Sequence, residues 1–110
     1  MVERDVSQLP WEATNVEGYE QKWLIRRSGA SFKLVRIHAG ARFPLHRHPD
    51  RTEYAYVLEG VLDATISGQT LRVGPGGFAE IPAGVEHGLF NPGSSDTIVQ
   101  IGAITESTEP

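Results

Sequence analysis

The 110-residue sequence predicts an all-β domain. Short runs rich in β-branched and aromatic residues recur roughly every 8–12 residues, a spacing typical of strands in a sandwich or barrel. Glycine and proline, present 12 and 7 times, separate these runs. No segment shows the apolar periodicity of an amphipathic helix. A chain of this size buries about two-thirds of its unfolded surface in one core, so we expect a single domain.

The N-terminal part of the sequence differs in texture from the rest. Residues 1–20 show neither helical nor strand periodicity, so we expect an arm that lies across the barrel or across a partner subunit. Trp11 and Tyr19 would be its apolar anchors. We expect residues 21–104 to form the barrel and the polar residues 105–110 to form a frayed tail.

The first two barrel strands are expected at QKWLIRR and SFKLVRIH. In the second of them, Phe32 and Leu34 fall on one face, whereas Val35 and Ile37 fall on the other. A strand that is apolar on both faces is either bulged or covered on both sides, and in a small barrel the second cover is often another subunit. We therefore expect a homodimer in which Trp11 and either Val35 or Ile37 lose solvent exposure.

Further strands are expected at RFPLHRH, EYAYVLEG, VLDATISG, QTLRVG, FAEI, HGLFN and TIVQIGAI. VLDATISG and QTLRVG would form a hairpin around Ser67 and Gly68. That hairpin would present Leu62, Ala64 and Ile66 on one face. Strands in this order, with no helix between them, favour a sandwich or barrel.

Three possible metal ligands lie close together in the first half of the sequence. His46 and His48 are two residues apart in an extended segment, so both imidazoles should point to one face. Pro49 and Asp50 turn the chain, and Glu53 opens the next strand, so the three side chains should converge across one hairpin. Imidazole nitrogens with a carboxylate oxygen suit a borderline divalent transition metal, whereas calcium prefers oxygen ligands alone.

Two stretches, GARFPLHRHPDRTEYAYVLEG at residues 40–60 and GGFAEIPAGVEHGLFN at residues 76–91, resemble both signature motifs of the cupin family. The matching positions are Gly40, His46, His48, Glu53 and Gly60 in the first motif, and Gly76, Pro82, Gly84, His87 and Asn91 in the second. The resemblance implies a double-stranded β-helix, or jelly-roll, cupin barrel. It also implies one metal ion in the barrel mouth, held by His46, His48, Glu53 and His87.

Three imidazoles and one carboxylate would leave two open positions on an octahedral ion. Adjacent open positions let a substrate chelate beside dioxygen or water. The set is similar to the two-histidine, one-carboxylate triad of non-haem iron with one added imidazole, so Fe(II) suits it. Mn, Ni, Co and Zn remain open as alternatives, and we expect one divalent ion per chain.

The leading functional hypothesis is a metal-dependent enzyme that acts on a small organic molecule with dioxygenase-type chemistry. The texture of the first half is similar to that of cupins that include ketone-cleaving dioxygenases and the metal-binding domain of zinc anti-sigma factors. One alternative is therefore a non-catalytic binding or sensor module. Another is an isomerase or epimerase, which needs further acids and bases in the cavity.

Composition excludes several other classes. The chain has no cysteine, so disulfides and thiolate metal sites are absent. Its net charge is −4 and it has no basic cluster, so nucleic acid is not an expected partner. No apolar run approaches the ~20 residues of a membrane helix, and the first residues do not resemble a secretory signal. We expect a cytoplasmic protein with no membrane partner.

The remaining notable side chains are assigned structural roles. His38 matches no motif and is expected at the surface. Glu86 should point away from His87, its neighbour on a strand, and Tyr54 and Tyr56 should face away from the side of Glu53. Gln100 and Arg36 are weaker candidates for cavity residues. The phenylalanines are expected in the core or in the wall of an apolar pocket: Phe32, Phe43, Phe78 and Phe90.

Overall fold

A computed structural model describes residues 5–106 of the chain. A 3-10 turn at Val6–Gln8 is followed by ten strands in this part of the chain. The strands are β1 Glu12–Ala13, β2 Tyr19–Arg26, β3 Ala30–Ile37, β4 Arg42–His46, β5 Arg51–Glu59, β6 Leu62–Ile66, β7 Gln69–Val73, β8 Phe78–Ile81, β9 His87–Phe90 and β10 Thr97–Thr105. Among the residues described, no helix is long and apolar enough to cross a membrane.

The strands form two sheets, and all their pairings are antiparallel. One sheet has six strands in the order β1-β2-β3-β10-β5-β8, and the other has four in the order β4-β9-β6-β7. After β3 the chain passes repeatedly from one sheet to the other, and β10 returns to lie between β3 and β5. This double-sheet arrangement is a jelly roll, so the predicted all-β jelly-roll fold is confirmed.

The core lies between the two sheets and consists largely of branched aliphatic side chains. Val35 and Ile37 of β3 are 0% exposed and pack with residues from both sheets. Phe32 and Leu34, on the opposite face of β3, are only half-buried. The expectation that Val35 or Ile37 becomes buried in a homodimer is therefore wrong, because the chain's own core already covers both side chains.

Residues 5–13 of the arm lie along the outer surface of the six-stranded sheet, whereas Val16 packs against the core. β1 pairs with β2, and the Lys22 ammonium donates to the Val6 carbonyl at 3.0 Å. The Trp11 ring faces the cationic groups of Lys22 and Arg36, each 4.6 Å from its centroid. Trp11 thus anchors the arm as expected. Tyr19 does not, because it begins β2 and its ring is buried inside the barrel.

The ends of the expected barrel shift by small amounts. β2 begins two residues before the expected start at residue 21, and β10 runs to Thr105, whose backbone pairs with Arg51. Residues 1–4 of the expected arm and residues 107–110 of the expected tail lie outside the described residues.

Two positions of the motifs hold the turns of the barrel. Gly60 has a φ of +79°, and a Cβ added there would meet the Thr97 hydroxyl at 2.6 Å, so only glycine fits. The buried Asn91 amide donates to the carbonyls of Ile37 and Ser95, at 2.9 and 2.8 Å. Its oxygen accepts from the backbone N–H of Gly93. Both motif residues have a structural role that the strands around the site depend on.

The hairpin predicted between β6 and β7 is confirmed. Ser67 and Gly68 have φ values of 50° and 82°, which are those of a type I′ turn, and Ile66 pairs with Gln69 across it. Leu62 and Ala64 face the core.

Candidate metal centre

Four titratable side chains converge at one end of the barrel: His46, His48, Glu53 and His87. Each offers one ligand atom, and all four atoms lie within 4.8 Å of one another. His87 is almost fully buried, and the other three are half-buried. The structure therefore brings together every residue that the sequence proposed for this site.

Strands of both sheets contribute residues to this group. His46 ends β4 and pairs with His87 of β9 in the four-stranded sheet, whereas Glu53 lies on β5 of the six-stranded sheet. The predicted β4–β5 hairpin is therefore wrong, because the segment after His46 crosses from one sheet to the other. His48 lies in this crossing, where its carbonyl accepts from the Gly84 N–H at 2.8 Å. Glu53 approaches the histidines from across the barrel.

Backbone carbonyls orient two of the imidazoles. His46 Nδ1 lies 2.8 Å from the Pro44 oxygen, and His87 Nδ1 lies 3.0 Å from the Val85 oxygen. A carbonyl only accepts, so each Nδ1 carries a hydrogen and donates it. Such a bond fixes the ring and leaves Nε2 as the nitrogen available to a metal, an arrangement typical of metal-binding histidines.

Glu53 is the electrostatic centre of the group. Its Oε1 lies 3.1 Å from His87 Nε2 and 3.2 Å from His48 Nε2. Burial raises the pKa of Glu53, but the His87 hydrogen bond and nearby positive charges outweigh burial and hold that pKa below its ordinary value. Glu53 is therefore a carboxylate at neutral pH.

The pKa values of the two histidines next to Glu53 shift in opposite directions. Burial lowers the pKa of His87, but hydrogen bonds to Glu53 and to the Val85 carbonyl raise it above the ordinary value overall. Burial lowers the pKa of His48, and the Arg51 charge adds to that effect against the attraction of Glu53. The two pKa values differ because the rings have different neighbours. His87 is hydrogen-bonded to Glu53, whereas the Arg51 guanidinium lies 3.0 Å from His48 Nδ1.

The donor set fits a divalent transition-metal ion. Three imidazole nitrogens and one carboxylate oxygen match the preference of such ions. Donors bound at about 2.1 Å are at most about 4.2 Å apart, so the 4.8 Å spread needs only a small closure of the side chains. The carbonyl contacts at Nδ1 leave Nε2 of His46 and of His87, the latter 3.1 Å from Glu53, as the nitrogens that would bind the ion.

The four residues face a cavity of about 210 Å³ inside the barrel. Its walls include the apolar side chains of Phe43, Ile81 and Leu89. They also include six polar residues that the sequence analysis missed as cavity residues: Thr14, Asn15, Tyr19, Gln21, Lys33 and Arg51. Strand parity places Lys33 on the same face as Val35 and Ile37, but the sequence did not show that this face is the buried one.

Burial shifts the pKa values of two of these polar side chains, Tyr19 and Lys33. Burial, and after it the charge of Glu53, raises the pKa of Tyr19, so its hydroxyl stays protonated at neutral pH. Burial lowers the pKa of Lys33, while the charge of Glu53 acts in the opposite direction. The cavity therefore contains a neutral hydroxyl and an ammonium beside the metal-ligand group.

Several residues lie away from the cavity as expected. Glu86 is exposed and lies 3.8 Å from Arg47, with its side chain directed away from the site. His38 lies at the surface, where its ring nitrogens are 2.8 Å from Glu20 and 3.0 Å from Asp96.

An apolar groove lies on the outer face of the six-stranded sheet, and we call it the outer groove. Tyr54 and Tyr56 line it, as their parity predicted, and Gln100 lies there rather than in the cavity. Phe78 is 60% exposed and lines this groove, so of the two expected places, the core or the wall of an apolar pocket, it occupies the second. Arg36 also faces outward and pairs with Glu20. The principal lining residues are Ile25, Phe32, Tyr54, Tyr56, Phe78, Gln100 and Ile104.

Comparisons with known proteins agree with this architecture. The Cupin domain family matches residues 33–101. Quercetin 2,3-dioxygenase of Bacillus subtilis (strain 168) is 39% identical over 64 residues, which are 56% of this chain but only 19% of that enzyme.

Solved structures resemble the whole barrel. A predicted oxalate decarboxylase from Thermotoga maritima aligns with a TM-score of 0.86 and 23% identity, over 96% of this chain and 99% of that one. The polyketide cyclase RemF from Streptomyces resistomycificus aligns with a TM-score of 0.83 and 20% identity, over 100% and 87%. At these identities the structures show a shared fold. With the family match over residues 33–101, they establish that this chain belongs to the cupin family.

Proposed function

We propose that this chain is an enzyme that binds one divalent transition-metal ion and acts on a small organic molecule. The proposed ligands are His46, His48, Glu53 and His87. The observation that carries the proposal is the convergence of their four donor atoms within 4.8 Å, facing a cavity of about 210 Å³. A cavity of this size accommodates only a small ligand.

The residues around the donors have distinct tasks in this proposal. The carbonyls of Pro44 and Val85 hold two imidazoles in position, so little reorganisation is needed on binding. Phe43 and Leu89 keep water out of the inner cavity. The protonated Tyr19 hydroxyl is available to donate a hydrogen bond to a substrate oxygen. A bound ion would supply Lewis acidity or redox chemistry at its open positions.

Dioxygenase-type chemistry is the proposed subtype. The partial match to quercetin 2,3-dioxygenase supports it at 39% identity over 64 residues. In a dioxygenation both oxygen atoms of O2 enter the organic product, and the substrate itself supplies the electrons. The reaction therefore needs no separate reductant and no second cofactor site.

The metal content of protein expressed without added metal tests this proposal. Fe or Mn near one ion per chain, with oxygen uptake on small dicarbonyl compounds, is the expected result. Ni and Co remain compatible with the ligand set. Zn alone, with no oxygen uptake on any compound tried, would contradict the enzyme proposal and favour a non-catalytic binding or sensor module.

A second candidate is an isomerase or epimerase. The observation in its favour is that Tyr19, a possible acid, lines the same cavity as Lys33, whose pKa burial lowers in the direction that a base requires. Such an enzyme would exchange a carbon-bound hydrogen of its substrate with deuterium from D2O under anaerobic conditions. The dioxygenase proposal predicts no exchange under those conditions, so the two candidates are separable.

A further inference from the structure

Lys33 holds a cationic group inside the barrel and pairs with no carboxylate among residues 5–106. Its ammonium donates to Gln21 Oε1 at 3.0 Å. An ammonium has three hydrogens to donate, and Lys33 forms no ion pair within residues 5–106. A half-buried cation whose direct hydrogen-bond partner is a neutral amide is costly, because the protein replaces its hydration incompletely. An anion from outside the chain would reduce that cost.

The charge of the cavity has the opposite sign to that of the chain. The charged residues of its wall, apart from the histidines, are Lys33, Arg51 and Glu53, so two cations face one carboxylate. A divalent ion would add two further positive charges. The whole chain carries a formal charge of −4, so the positive potential is local to the cavity.

Strand register places Lys33 at a useful distance from the proposed metal ligands. Lys33 pairs with Ile101 of β10, and Ile101 pairs with Ala55 of β5, two residues after Glu53. β3 and β5 are therefore two strand spacings apart, or about 10 Å. The Lys33 ammonium leans towards β2, where it donates to Gln21, and both residues line the same cavity as the proposed ligands.

We propose that Lys33 is an anion-binding residue and that the substrate is a small organic carboxylate. Oxygen atoms at one end of the substrate would bind the metal ion, and its carboxylate would meet the Lys33 ammonium. The metal end of this arrangement rests on the proposed function. The carboxylate end rests on the placement of Lys33 in the cavity wall.

A purely structural role for Lys33 makes a different prediction. Its ammonium lies 4.8 Å from the centroid of the Trp23 ring and 6.0 Å from that of Tyr19, so it also contributes cation–π contacts between β2 and β3. Loss of those contacts would weaken the fold or the cavity wall for every ligand alike. It would not change the preference between a charged and a neutral ligand.

The test uses two probes that share a 1,3-dicarbonyl group. In 2,4-dioxopentanoate a carboxylate stands where 2,4-pentanedione has a methyl group. Both are titrated into zinc-loaded protein without oxygen, using the parent, Lys33→Met and Lys33→Arg. Lys22→Met is the matched control, because Lys22 lies on the outer side of β2 and donates to the Val6 carbonyl.

We expect Lys33→Met to lower the preference for the carboxylate probe by about tenfold to a hundredfold, the usual range for a charge-assisted hydrogen bond. Lys33→Arg should restore part of the preference, and Lys22→Met should leave it unchanged. An unchanged preference in Lys33→Met, or an equal loss of affinity for both probes, would overturn the proposal.

Zinc affinity, measured on the same samples, separates this proposal from the proposed function. If the parent binds no metal ion, the proposed function fails. The metal-free parent and Lys33→Met proteins are then compared with 2,4-dioxopentanoate alone. Weaker binding by Lys33→Met would support the assignment of Lys33, and equal binding would refute it.

Discussion

The two faces of the six-stranded sheet are built from the same strands but have opposite character. On the inner face, Glu53 of β5 and Lys33 of β3 bring charge into a small cavity. On the outer face, Tyr54, Tyr56 and Phe32 of these two strands line an apolar groove with no charged side chain. Alternation along each strand separates the two sets, since successive residues point to opposite sides.

The comparison shows that polarity in this barrel does not follow exposure. The interior contains the groups that suit a metal ion and an anion, while the exposed outer groove contains aromatic rings. Interior charge is costly unless it has a partner, and an exposed apolar patch is unfavourable in water unless it is covered. The inner face therefore suits charged ligands, whereas the outer groove suits an apolar surface that covers it.

Loss of a proposed metal ligand should have the largest effect. His46→Ala and His87→Ala should each lower metal affinity by more than about a hundredfold. Removal of a residue that only hydrogen-bonds to a metal ligand already costs about 10–100-fold, and loss of the ligand itself should cost more. Metal content is measured after dialysis against a mild chelator. His38→Ala is the matched control, since His38 is the one histidine outside the group.

Full occupancy of both ligand variants after that dialysis would show that the site is elsewhere. The metal-free parent should keep its far-UV β signal, because the core around Val35, Val57 and Val99 does not depend on the proposed ligands. Unfolding on metal removal would contradict this part of the prediction.

The grouping of the four proposed ligands was predictable because the sequence pattern contains it. His46, His48, Glu53 and His87 stand at spacings that match both motifs, and the fold brings them together. The path of the chain between His46 and Glu53 was not predictable. Pro49 and Asp50 favour a turn, but the same turn residues serve a hairpin and a crossing between sheets.

The cavity wall was harder to predict for a different reason. β3 is apolar on both faces, so parity alone could not say whether Val35 or Phe32 points inward. Only the packing against β10 and the four-stranded sheet decides this, and it carries Lys33 into the cavity together with Val35. Tyr19 was missed because β2 begins earlier than its composition suggested.

The outer face yields the second prediction, a homodimer. We propose that the outer groove packs against the same groove of a second copy. A two-fold axis brings identical residues together, and a lining without charge meets itself without repulsion. Phe78→Asp would place two carboxylates in that interface, so we expect the mass to fall from dimer to monomer.

Light scattering at high micromolar concentration measures this change. Leu71→Asp is the matched control, because Leu71 is 52% exposed on β7 of the other sheet, against 60% for Phe78. The control should remain dimeric. A parent protein that is monomeric at this concentration would remove the second copy as the occupant of the groove.

A smaller effect is expected when only the charge of the inner face changes. Glu53→Gln keeps the size of the side chain and one oxygen but removes the negative charge. An amide oxygen is a poorer ligand, so metal affinity should fall by about tenfold, and the three imidazoles should still hold the ion when metal is in excess. Competition with a chromophoric chelator measures the affinity.

Oxygen uptake on the same Glu53→Gln sample sharpens this prediction. Under the enzyme proposal the altered charge should change turnover even at full occupancy. Unaltered affinity would mean that Glu53 is not a ligand. Restored occupancy with parental turnover would mean that its charge has no part in the reaction.

The smallest effect concerns the charged pairs of the outer face. Hydrogen bonds to Asp96, and then to Glu20, outweigh burial and raise the pKa of His38 above its ordinary value. The protonated ring therefore stabilises the fold at pH values below its unfolded pKa of about 6.5, and this contribution is lost as pH rises through the higher folded pKa.

The free energy of unfolding by urea, with a chelator present, tests this effect in the parent and in His38→Gln. Because the His38 side chain is 44% exposed, water screens its ion pairs, and the expected contribution is less than about 1 kcal/mol. The difference between the two proteins should be largest near about pH 5.5 and should shrink by about pH 8.5. Glu20 and Asp96 are the acidic partners of the ring, and Arg36, which pairs with Glu20, remains charged throughout. A difference that grows with pH would mean that His38 is held as the neutral imidazole and that the outer face is stabilised by packing alone.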